Sequence, residues 1–363
     1  MRLDALSLTG FRNYAQFAAN WGAAGALLWG ENGAGKSNLL EAIHLLAVGR
    51  SHRTLNDREI VAIGQSALTV RGEGESEREG RVDVEIHVRI GGTKRAIVNG
   101  KEEGRLSAIV GRLGAVMVAP EDMEVTRGAP ERRRRFLDQL LCQIRPAHIT
   151  ALQAYGRALK QRNQALREER EGRAPAGFAE AWNAPLCEWG TKVREHRAVL
   201  VARLARLAHD LFGQVSARAG ELVVEYPAAA DDMPAALARV AAGEARRGMT
   251  LTGPHRDDLV IELDGKDVRS FGSRGQQRAA TFSLKMASAV LFREERGEPP
   301  ILLLDDIFAE LDKGRADRLA ALLHGGGFGG QVFATATTAS ELMSRFAGVP
   351  AYRVFGGAIE EGA

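Results

Sequence analysis

The chain has few cysteines and no long apolar run. Its 363 residues include only Cys142 and Cys187, and these two form no closely spaced pair. Neither a zinc site nor a disulfide framework is therefore indicated. No apolar segment is long enough to cross a bilayer, and the first ten residues contain no apolar signal core. We expect a cytoplasmic protein with no membrane partner.

An excess of charge of one sign is also lacking. Lys and Arg number 49 against 46 Asp and Glu, which leaves a net charge of +3. Bulk charge is therefore a weak argument for a nucleic-acid partner, and the positions of the basic residues matter more. The hydrophobic content of 45% and the charged content of 26% are those of an ordinary globular protein. The length suggests about two domains.

The hydrophobic pattern changes twice along the chain. "RVDVEIHVRI" alternates like a half-buried strand, and the turns at Gly91-Gly92 and Asn99-Gly100 predict an antiparallel meander. "AVMVAP", from Ala115, closes this strand-rich region. From Pro130 to about Ala242 the pattern is helical, in segments too short for a long coiled coil. Strand-like texture then returns, and there are no internal repeats.

A phosphate-binding loop is predicted at "GENGAGKS". It fits the pattern GxxxxGK[ST] between a short apolar strand and a helix that starts at Lys36. Backbone N–H groups of such a loop surround the phosphates, Lys36 reaches the β and γ oxygens, and Ser37 is a ligand of Mg²⁺. The predicted ATP-binding residues are Gly30, Glu31, Asn32, Gly33, Ala34, Gly35, Lys36, Ser37 and Asn38.

"ILLLDD" predicts a buried strand that delivers two carboxylates at its end. We interpret it as a Walker B element, in which Asp305 holds Mg²⁺ through water and Asp306 orients or activates the attacking water. Lys36 and Asp306 are the predicted catalytic residues. The structural alternative is that these acids cap a helix or a turn at the end of the strand.

A second glycine-containing loop, "FGSRGQQR", opens another helix, and such a loop can hold an anion. The order of Walker A, "SRGQ", Walker B and "AELD" resembles that of ABC-type ATPases. The resemblance assigns Ser273, Gly275 and Gln276 to the signature and Asp312 to the D-loop. It implies that two copies pair face to face, with each nucleotide between the Walker A of one copy and the signature of the other.

Several stretches narrow the resemblance to the RecF family of bacterial recombination mediators. They are "LTGFRNY", "GRSHRT", "APEDMEVTRGAPERRRRFLDQLL", "TGPHRDDL", "FGSRGQQR" and "LLLDDIFAELD". The resemblance implies an ATP-driven homodimer that binds DNA at single-strand gaps and junctions of single- and double-stranded DNA. With RecO and RecR it would help to load the RecA recombinase in repair, replication and the SOS response. It also adds Arg12 and Asn13 to the ATP contacts.

The implied fold is an α/β ABC-type ATPase head, with a mostly parallel P-loop sheet, an antiparallel β meander and an inserted helical lobe. We place the first part of the head at residues 1–128, the lobe at 129–248 and the second part at 249–363. Asp306 stands where the ABC pattern has glutamate, and Thr335 or Thr337 where it has a switch histidine. These departures suggest weak, DNA-stimulated hydrolysis that acts as a timer.

The basic run Arg132, Arg133, Arg134 and Arg135 is the main candidate for DNA contact. Residues 127–206 contain 17 Lys and Arg against 8 Asp and Glu, and phosphate contacts give affinity without sequence information. The structural alternative is a solvated helix face. Lys94 and Arg95 on the hairpin are further candidates.

"GPHRDD" is not assigned a metal, because three adjacent residues rarely converge on one ion. We expect His255 and Arg256 to shape the head near the nucleotide or the DNA. Two rival functions are the nucleotide-binding subunit of a membrane transporter and an SMC-like tether. The first offers no reason for a basic helical arm, and the second needs a long coiled coil for which the chain has no room.

Overall fold

The computed structural model describes residues 1–54, 56–216, 220–230, 232–308, 313–325, 328 and 330–362. The strands are β1 (Arg2–Phe11), β2 (Tyr14–Asn20), β3 (Gly25–Trp29), β4 (Ala67–Ser76), β5 (Gly80–Arg89), β6 (Arg95–Val98), β7 (Lys101–Glu103), β8 (Ala115–Val118), β9 (Leu222–Glu225), β10 (Val260–Leu263), β11 (Lys266–Asp267), β12 (Ile301–Leu304), β13 (Val332–Ala336), β14 (Ala351–Phe355) and β15 (Ala358–Glu361). The helices are α1 (Lys36–Val48), α2 (Glu124–Arg127), α3 (Pro130–Ile144), α4 (Pro146–Arg170), α5 (Asn183–Val215), α6 (Met233–Arg247), α7 (Val268–Phe271), α8 (Arg274–Arg296), α9 (Lys313–Gly325) and α10 (Ala339–Met343).

The chain divides into two compact units. The first consists of Met1–Met123, Asp210–Ala219 and Arg278–Ala363, and the second of Glu124–His209 and Gly220–Gln277. The second unit therefore continues beyond the predicted lobe boundary at residue 248. The physical reason is strand pairing, because β9 lies before that boundary and pairs antiparallel with β10, which lies after it.

A six-stranded sheet in the first unit has the order β15-β14-β3-β13-β12-β8. Its strands are parallel except for β15. The apolar run of β12 is buried throughout, as the strands of a covered parallel sheet are. "AVMVAP" belongs here as β8, beside β12, and not to the antiparallel meander that it follows in sequence.

The second sheet of this unit is antiparallel, in the order β2-β1-β4-β5-β6-β7. The predicted meander is confirmed, since β5 pairs with β6 and β6 with β7. Val82, Val84, Ile86 and Val88 are buried on one face of β5, whereas Ile90 lies just beyond the end of that strand.

Helix α1 is buried almost all round, because it contacts strands of both six-stranded sheets. A helix that is buried on nearly every side needs such an environment. Gly72 permits the close approach to β4, since a Cβ atom at this position would lie 2.6 Å from Cδ1 of Leu46 on α1. The helix that follows the phosphate loop is thereby fixed against the core of the unit.

The second unit is built mainly from α3, α4, α5 and α6, with a three-stranded antiparallel sheet in the order β11-β10-β9. Its apolar cluster includes Tyr155 on α4, Val193 on α5 and Leu237 on α6. The helical pattern predicted from Pro130 to about Ala242 is confirmed by α3, α4, α5 and α6, apart from the short strand β9. Within the described part of the chain, no helix combines the length and the apolar character that a membrane span requires.

Candidate nucleotide-binding site

The loop between β3 and α1 has the backbone that its glycines allow. Gly30, Gly33 and Gly35 have φ angles of 149°, 83° and 115°, which residues with side chains rarely adopt. A Cβ atom at Gly35 would also lie 2.6 Å from both Asn13 Nδ2 and Tyr14 Oη. The loop leads into the first turn of α1, where backbone N–H groups lack intrahelical acceptors and favour an anion.

Lys36 lies within this loop. Its Nζ donates hydrogen bonds to the carbonyl oxygens of Gly30 at 2.7 Å and Glu31 at 2.8 Å. Burial lowers the pKa of Lys36, and the nearby carboxylates of Asp306 and Asp305 oppose that shift. The ammonium group is thus held at the place where the loop would receive phosphate charge.

Two hydroxyl groups converge on Asp305 at the carboxyl end of β12. Ser37 Oγ donates to Asp305 Oδ1 at 2.8 Å, and Thr335 Oγ1 donates to the same oxygen at 2.6 Å. Asp305 is buried, and its N–H donates to the carbonyl oxygen of Val118 on the neighbouring strand β8. Hydroxyl and carboxylate oxygens are the hard ligands that Mg²⁺ binds, so these residues fit an ATP–Mg²⁺ site.

Thr335 also connects the two acids. Its Oγ1 accepts a hydrogen bond from the N–H of Asp306 at 2.9 Å, and Asp306 has a φ angle of 49°. A positive φ is uncommon for a residue with a side chain and is often found at functional sites. Of the two threonines proposed in place of a switch histidine, Thr335 contacts both acids, whereas Thr337 is exposed beyond the end of β13.

The turn between β1 and β2 braces the loop from the side. Arg12 donates to both carboxylate oxygens of Glu41, a fully buried residue of α1, at 2.8 and 2.7 Å. Asn13 Nδ2 donates to the Ala34 carbonyl oxygen at 3.1 Å, and Asn13 Oδ1 accepts from Asn38 Nδ2 at 2.8 Å. The ATP contacts proposed for Arg12 and Asn13 remain predictions, and the structure adds a bracing role.

Four further contributors to this brace were not predicted from the sequence. Tyr14 Oη donates to the Gly35 carbonyl oxygen, and Ser51 Oγ donates to Glu41. Arg53 donates to Asn38 Oδ1 at 3.0 Å. Glu41 and Ser51 carry no sequence pattern that marks them, and only the resemblance of "GRSHRT" to a family motif pointed toward this segment.

The predicted signature residues Ser273, Gly275 and Gln276 lie in the second unit, at the start of α8. Ser273 Oγ accepts the N–H of Gln276 at 3.3 Å, and Gln276 Oε1 accepts the N–H of Ser273 at 2.8 Å. This reciprocal pair is a capping box, which satisfies two N–H groups at the helix start. Asp312 of the predicted D-loop lies outside the described residues.

The basic run of α3 does not form one exposed surface. Arg133 is 6% exposed and donates to both carboxylate oxygens of Asp258 at 2.7 Å. The guanidinium is therefore buried and paired within the second unit, and its DNA contact stays a prediction. Arg134 is half-buried and donates to the Asp257 carbonyl oxygen, while Arg135 is also half-buried and Arg132 is exposed.

The hairpin candidates are at the surface of the first unit. Lys94 Nζ lies 2.6 Å from Asp57 Oδ1, and Arg95 Nε lies 3.7 Å from Glu102 Oε1. Exposed pairs of this kind contribute little to stability. DNA contacts by Lys94, Arg95 and Arg132 stay predictions.

The "GPHRDD" segment is a hub of hydrogen bonds inside the second unit. Asp257 accepts from Arg194 at 2.7 and 2.9 Å and from Tyr226 Oη at 2.5 Å. His255 Nδ1 lies 2.6 Å from Tyr155 Oη. These side chains hold the segment in place, and only Arg256 of the four polar residues is exposed.

Comparison with known proteins agrees with this geometry. The family model for the RecF/RecN/SMC N terminal domain matches residues 2–353. The DNA replication and repair protein RecF of Shouchella clausii (strain KSM-K16) is 36% identical over 355 residues, 94% of each chain. RecF of Bacillus subtilis (strain 168) is 34% identical and covers 90% of this chain and 91% of its own.

Solved structures place the fold in the same group. The recombination mediator protein RecF-ATP in the RecFOR pathway is 28% identical, with a TM-score of 0.89 over 99% of this chain and 97% of its own. An Smc head domain from Pyrococcus furiosus, at 17% identity and a TM-score of 0.60 over 99% and 95% of the two chains, shares the fold alone.

The sheets of the first unit and the convergence of Walker A and Walker B residues define an ABC-type ATPase head of the RecF/SMC kind. Within that class, the chain belongs to the RecF family of DNA replication and repair proteins.

Proposed function

We propose that this chain binds ATP with Mg²⁺ at Gly30–Ser37 and uses the bound nucleotide to control pairing of two copies and binding to DNA. One observation supports this more than any other. Ser37 of the phosphate loop and Thr335 at the end of β13 donate to the same oxygen of Asp305. Three segments that are distant in sequence thus bring two hydroxyls and a carboxylate together at the phosphate loop.

Each residue has a role that follows from its position. The N–H groups of the loop and the Lys36 ammonium hold the phosphates, while Ser37 and Asp305 hold Mg²⁺. When bound, Mg²⁺ neutralises charge on the phosphate oxygens. Asp306 orients the attacking water and accepts its proton, and Thr335 fixes the Asp306 backbone through its N–H. Because aspartate is one methylene shorter than the usual glutamate, hydrolysis is slow enough to act as a timer.

The signature residues act in trans in this proposal. The capping box of Ser273 and Gln276 orders the start of α8 and takes up the N–H groups of these two residues. The N–H groups between them, at Arg274 and Gly275, are those that we propose an anion would meet. Two copies related by a twofold axis would each offer this segment to the nucleotide of the other, which is an isologous arrangement. ATP then joins the two copies, and hydrolysis releases them.

The DNA function rests on family membership and on charge. The matched relatives are DNA replication and repair proteins, and the solved RecF structures are recombination mediators of the RecFOR pathway. By that relationship this chain binds gapped DNA and junctions of single- and double-stranded DNA, works with RecO and RecR, and assists loading of RecA. The surplus of basic residues between positions 127 and 206 supports a phosphate contact in the second unit.

Retention on DNA-cellulose, with and without ATP and Mg²⁺, tests the proposal. We expect the wild-type chain to be retained more strongly with ATP, and Lys36→Ala to lose both ATP binding and the ATP-dependent part of retention. An unchanged ATP affinity of Lys36→Ala in an equilibrium titration would contradict the assignment of the phosphate loop.

Light scattering tests the shared site. Ser273→Arg should keep ATP binding by the monomer and lose ATP-dependent pairing, because its bulk blocks the nucleotide of the second copy. Ser344→Arg is the matched control, since Ser344 is an exposed serine of the first unit and the change in charge is the same. A Ser273→Arg protein that pairs as well as this control would exclude the mechanism in trans.

A further inference from the structure

Helix α4 presents a basic face to solvent. Its buried side includes Ala151, Tyr155, Ala158 and Arg162. At 100° per residue, the opposite side spans an arc of roughly 120°. The exposed residues between positions 157 and 167, which we call the α4 outer face, are Arg157, Lys160, Gln161, Gln164 and Arg167.

The cations of the α4 outer face are not neutralised by neighbouring acids. Within the described residues, neither Arg157 nor Lys160 forms an ion pair, and Arg167 Nε donates to the backbone oxygen of Asn163 at 3.1 Å. The acid at the edge of this face, Glu168, accepts a hydrogen bond from Gln164. Three positive charges are therefore available to a partner.

The neighbouring helix α5 has a different outer side. Its exposed residues between positions 188 and 199 are Glu188, Thr191, Glu195 and Val199. The middle of α5 therefore exposes two acids where the middle of α4 exposes three cations, although α5 also carries Lys192, paired with Glu188, and the exposed Arg206 nearer its end.

More arginines lie at the carboxyl end of α4. Arg170 Nη1 donates to the Arg247 carbonyl oxygen at 3.1 Å, and its Nη2 lies 3.4 Å from Glu171 Oε1, so an acid partly matches its charge. A Cβ atom at Gly248 would lie 3.3 Å from side-chain atoms of Arg167 and Arg170. The exposed residues Arg246 and Arg247 end α6 at the same place, so the basic surface extends beyond the outer face itself.

The types of residue on the α4 outer face indicate which kind of partner it can bind. No aromatic side chain lies on it, and every residue of α4 is described, so it offers no platform on which single-stranded bases stack. Arg157 and Arg167 are about 15 Å apart along the helix axis, a length over which duplex DNA presents roughly nine phosphate charges. The apolar side of α4 is buried, which excludes a helix that inserts into a lipid surface.

We propose that the α4 outer face binds the phosphate backbone of duplex DNA, independently of base sequence. This inference rests on the proposed DNA function and names the surface and the strand form involved. In this proposal, α4 contacts the double-stranded DNA beside a gap. It takes the place of Arg133 on α3, which is buried, as the DNA contact.

Salt-dependent binding to a fluorescent duplex tests the inference. The variant Arg157→Gln/Lys160→Gln/Arg167→Gln keeps good helix formers and should lose about tenfold to a hundredfold in affinity at moderate salt. The slope of log affinity against log salt should fall by about two to three units. Arg157→Lys/Arg167→Lys should keep the wild-type slope, since point charges suffice for phosphates.

The control variant is Arg206→Gln/Arg239→Gln/Lys266→Gln. It removes the same formal charge from three exposed cations of the second unit that lie on three different elements. If both triple variants lose affinity equally, general attraction explains the effect and the α4 face is not the contact. If the α4 variant binds like the wild type, the inference fails while the proposed DNA function stands. If the wild type itself does not bind the duplex, both fail.

Protection from acetylation tests the wild-type protein directly. Excess duplex should slow acetylation of Lys160 relative to Lys266, whereas an oligothymidine of equal length should protect it less. Equal labelling of Lys160 with and without the duplex would overturn the inference, whatever the variants do.

Discussion

Asp305-Asp306 of the first unit and Asp257-Asp258 of the second unit are both pairs of consecutive aspartates, and the partners of the two pairs differ in kind. Asp305 of the first unit accepts hydrogen bonds from the hydroxyls of Ser37 and Thr335 on one oxygen. Asp257 of the second unit accepts from a guanidinium and a tyrosine hydroxyl on both of its oxygens. The apolar run before "LLDDI" predicts a metal site and nothing of that kind precedes "HRDDL", but neither sequence names the partners of its acids.

This difference shows that the groups hydrogen-bonded to an aspartate determine whether it can bind a metal ion or holds segments of the chain together. Asp305 meets neutral donors, and within the described residues its Oδ2 receives no hydrogen bond, so it can still bind a cation. The negative charges of Asp257 and Asp258 are matched by Arg194 and Arg133. The first pair is suited to chemistry with a metal and the second to holding segments together.

The largest expected effect is a loss of protein stability when an acid of the second pair is replaced. Asp257→Asn leaves Arg194, which is 5% exposed, without its carboxylate. Removing one partner of a buried ion pair costs about 3–5 kcal/mol, so the free energy of unfolding in urea should fall by that amount. Asp258→Asn should cost less, because the Asp258 side chain is 39% exposed. A loss below about 1 kcal/mol for Asp257→Asn, the range of an exposed pair, would contradict the structural role.

Asp306→Asn should change chemistry and leave binding intact. With Asp305 and Lys36 in place, ATP and Mg²⁺ should bind as in the wild type. Loss of the group that accepts the proton should lower the single-turnover hydrolysis rate by about 10²–10⁴-fold. Phosphate release after rapid mixing measures this, with ATP affinity as the control. Hydrolysis at the wild-type rate would mean that another residue activates the water.

Thr335→Val removes a hydroxyl and keeps the shape of the side chain. It breaks the bond to Asp305 and leaves the N–H of Asp306 without its acceptor. The free energy of unfolding should fall by about 1–3 kcal/mol, and hydrolysis should slow more than ATP affinity falls. Thr337→Val, at an exposed position, is the control and should change neither quantity. Equal behaviour of the two variants would remove Thr335 from the site.

The smallest effect concerns His255 in the second unit. Burial, with the nearby cations Arg256 and Arg134, lowers the pKa of His255. The unfolded chain therefore binds a proton more readily than the folded chain below the ordinary histidine pKa of about 6.5. This contribution to stability is complete above that pH and is lost as the pH falls toward the lower folded pKa.

The melting temperature should accordingly fall between pH 7.5 and pH 5.5, and His255→Gln should reduce that fall. His87→Gln, at a half-buried position of the first unit whose side chain is 38% exposed, serves as the control. An equal fall in both variants would show that His255 does not carry the pH dependence.

Much of the fold and of the Walker elements could be predicted from the sequence, because their signals are local. The phosphate loop is eight consecutive residues, and β12 is a continuous apolar run that ends in acids. The alternation of apolar and polar residues in β5 likewise predicts a strand. By contrast, the connection of Thr335 to Asp305 spans 30 residues, and no local pattern specifies it.

The basic run of α3 shows why the other predictions were incomplete. Four consecutive arginines look equivalent in sequence, yet a helix turns each by about 100° from the last, so Arg133 points inward. Its partner Asp258 is 125 residues away. The basic face of α4 was not predicted from the sequence, because its cations are spaced along the helix and form no consecutive run.

Calorimetric titration of Asp305→Asn with ATP tests the central claim most directly. If Asp305 holds Mg²⁺ at the phosphate loop, wild-type affinity should fall when EDTA replaces Mg²⁺, while the weaker affinity of Asp305→Asn should be the same in both. Stability should change by no more than about 1 kcal/mol, because asparagine still accepts from Ser37 and Thr335. Asp305→Asn that binds ATP with full affinity and full Mg²⁺ dependence would contradict the account.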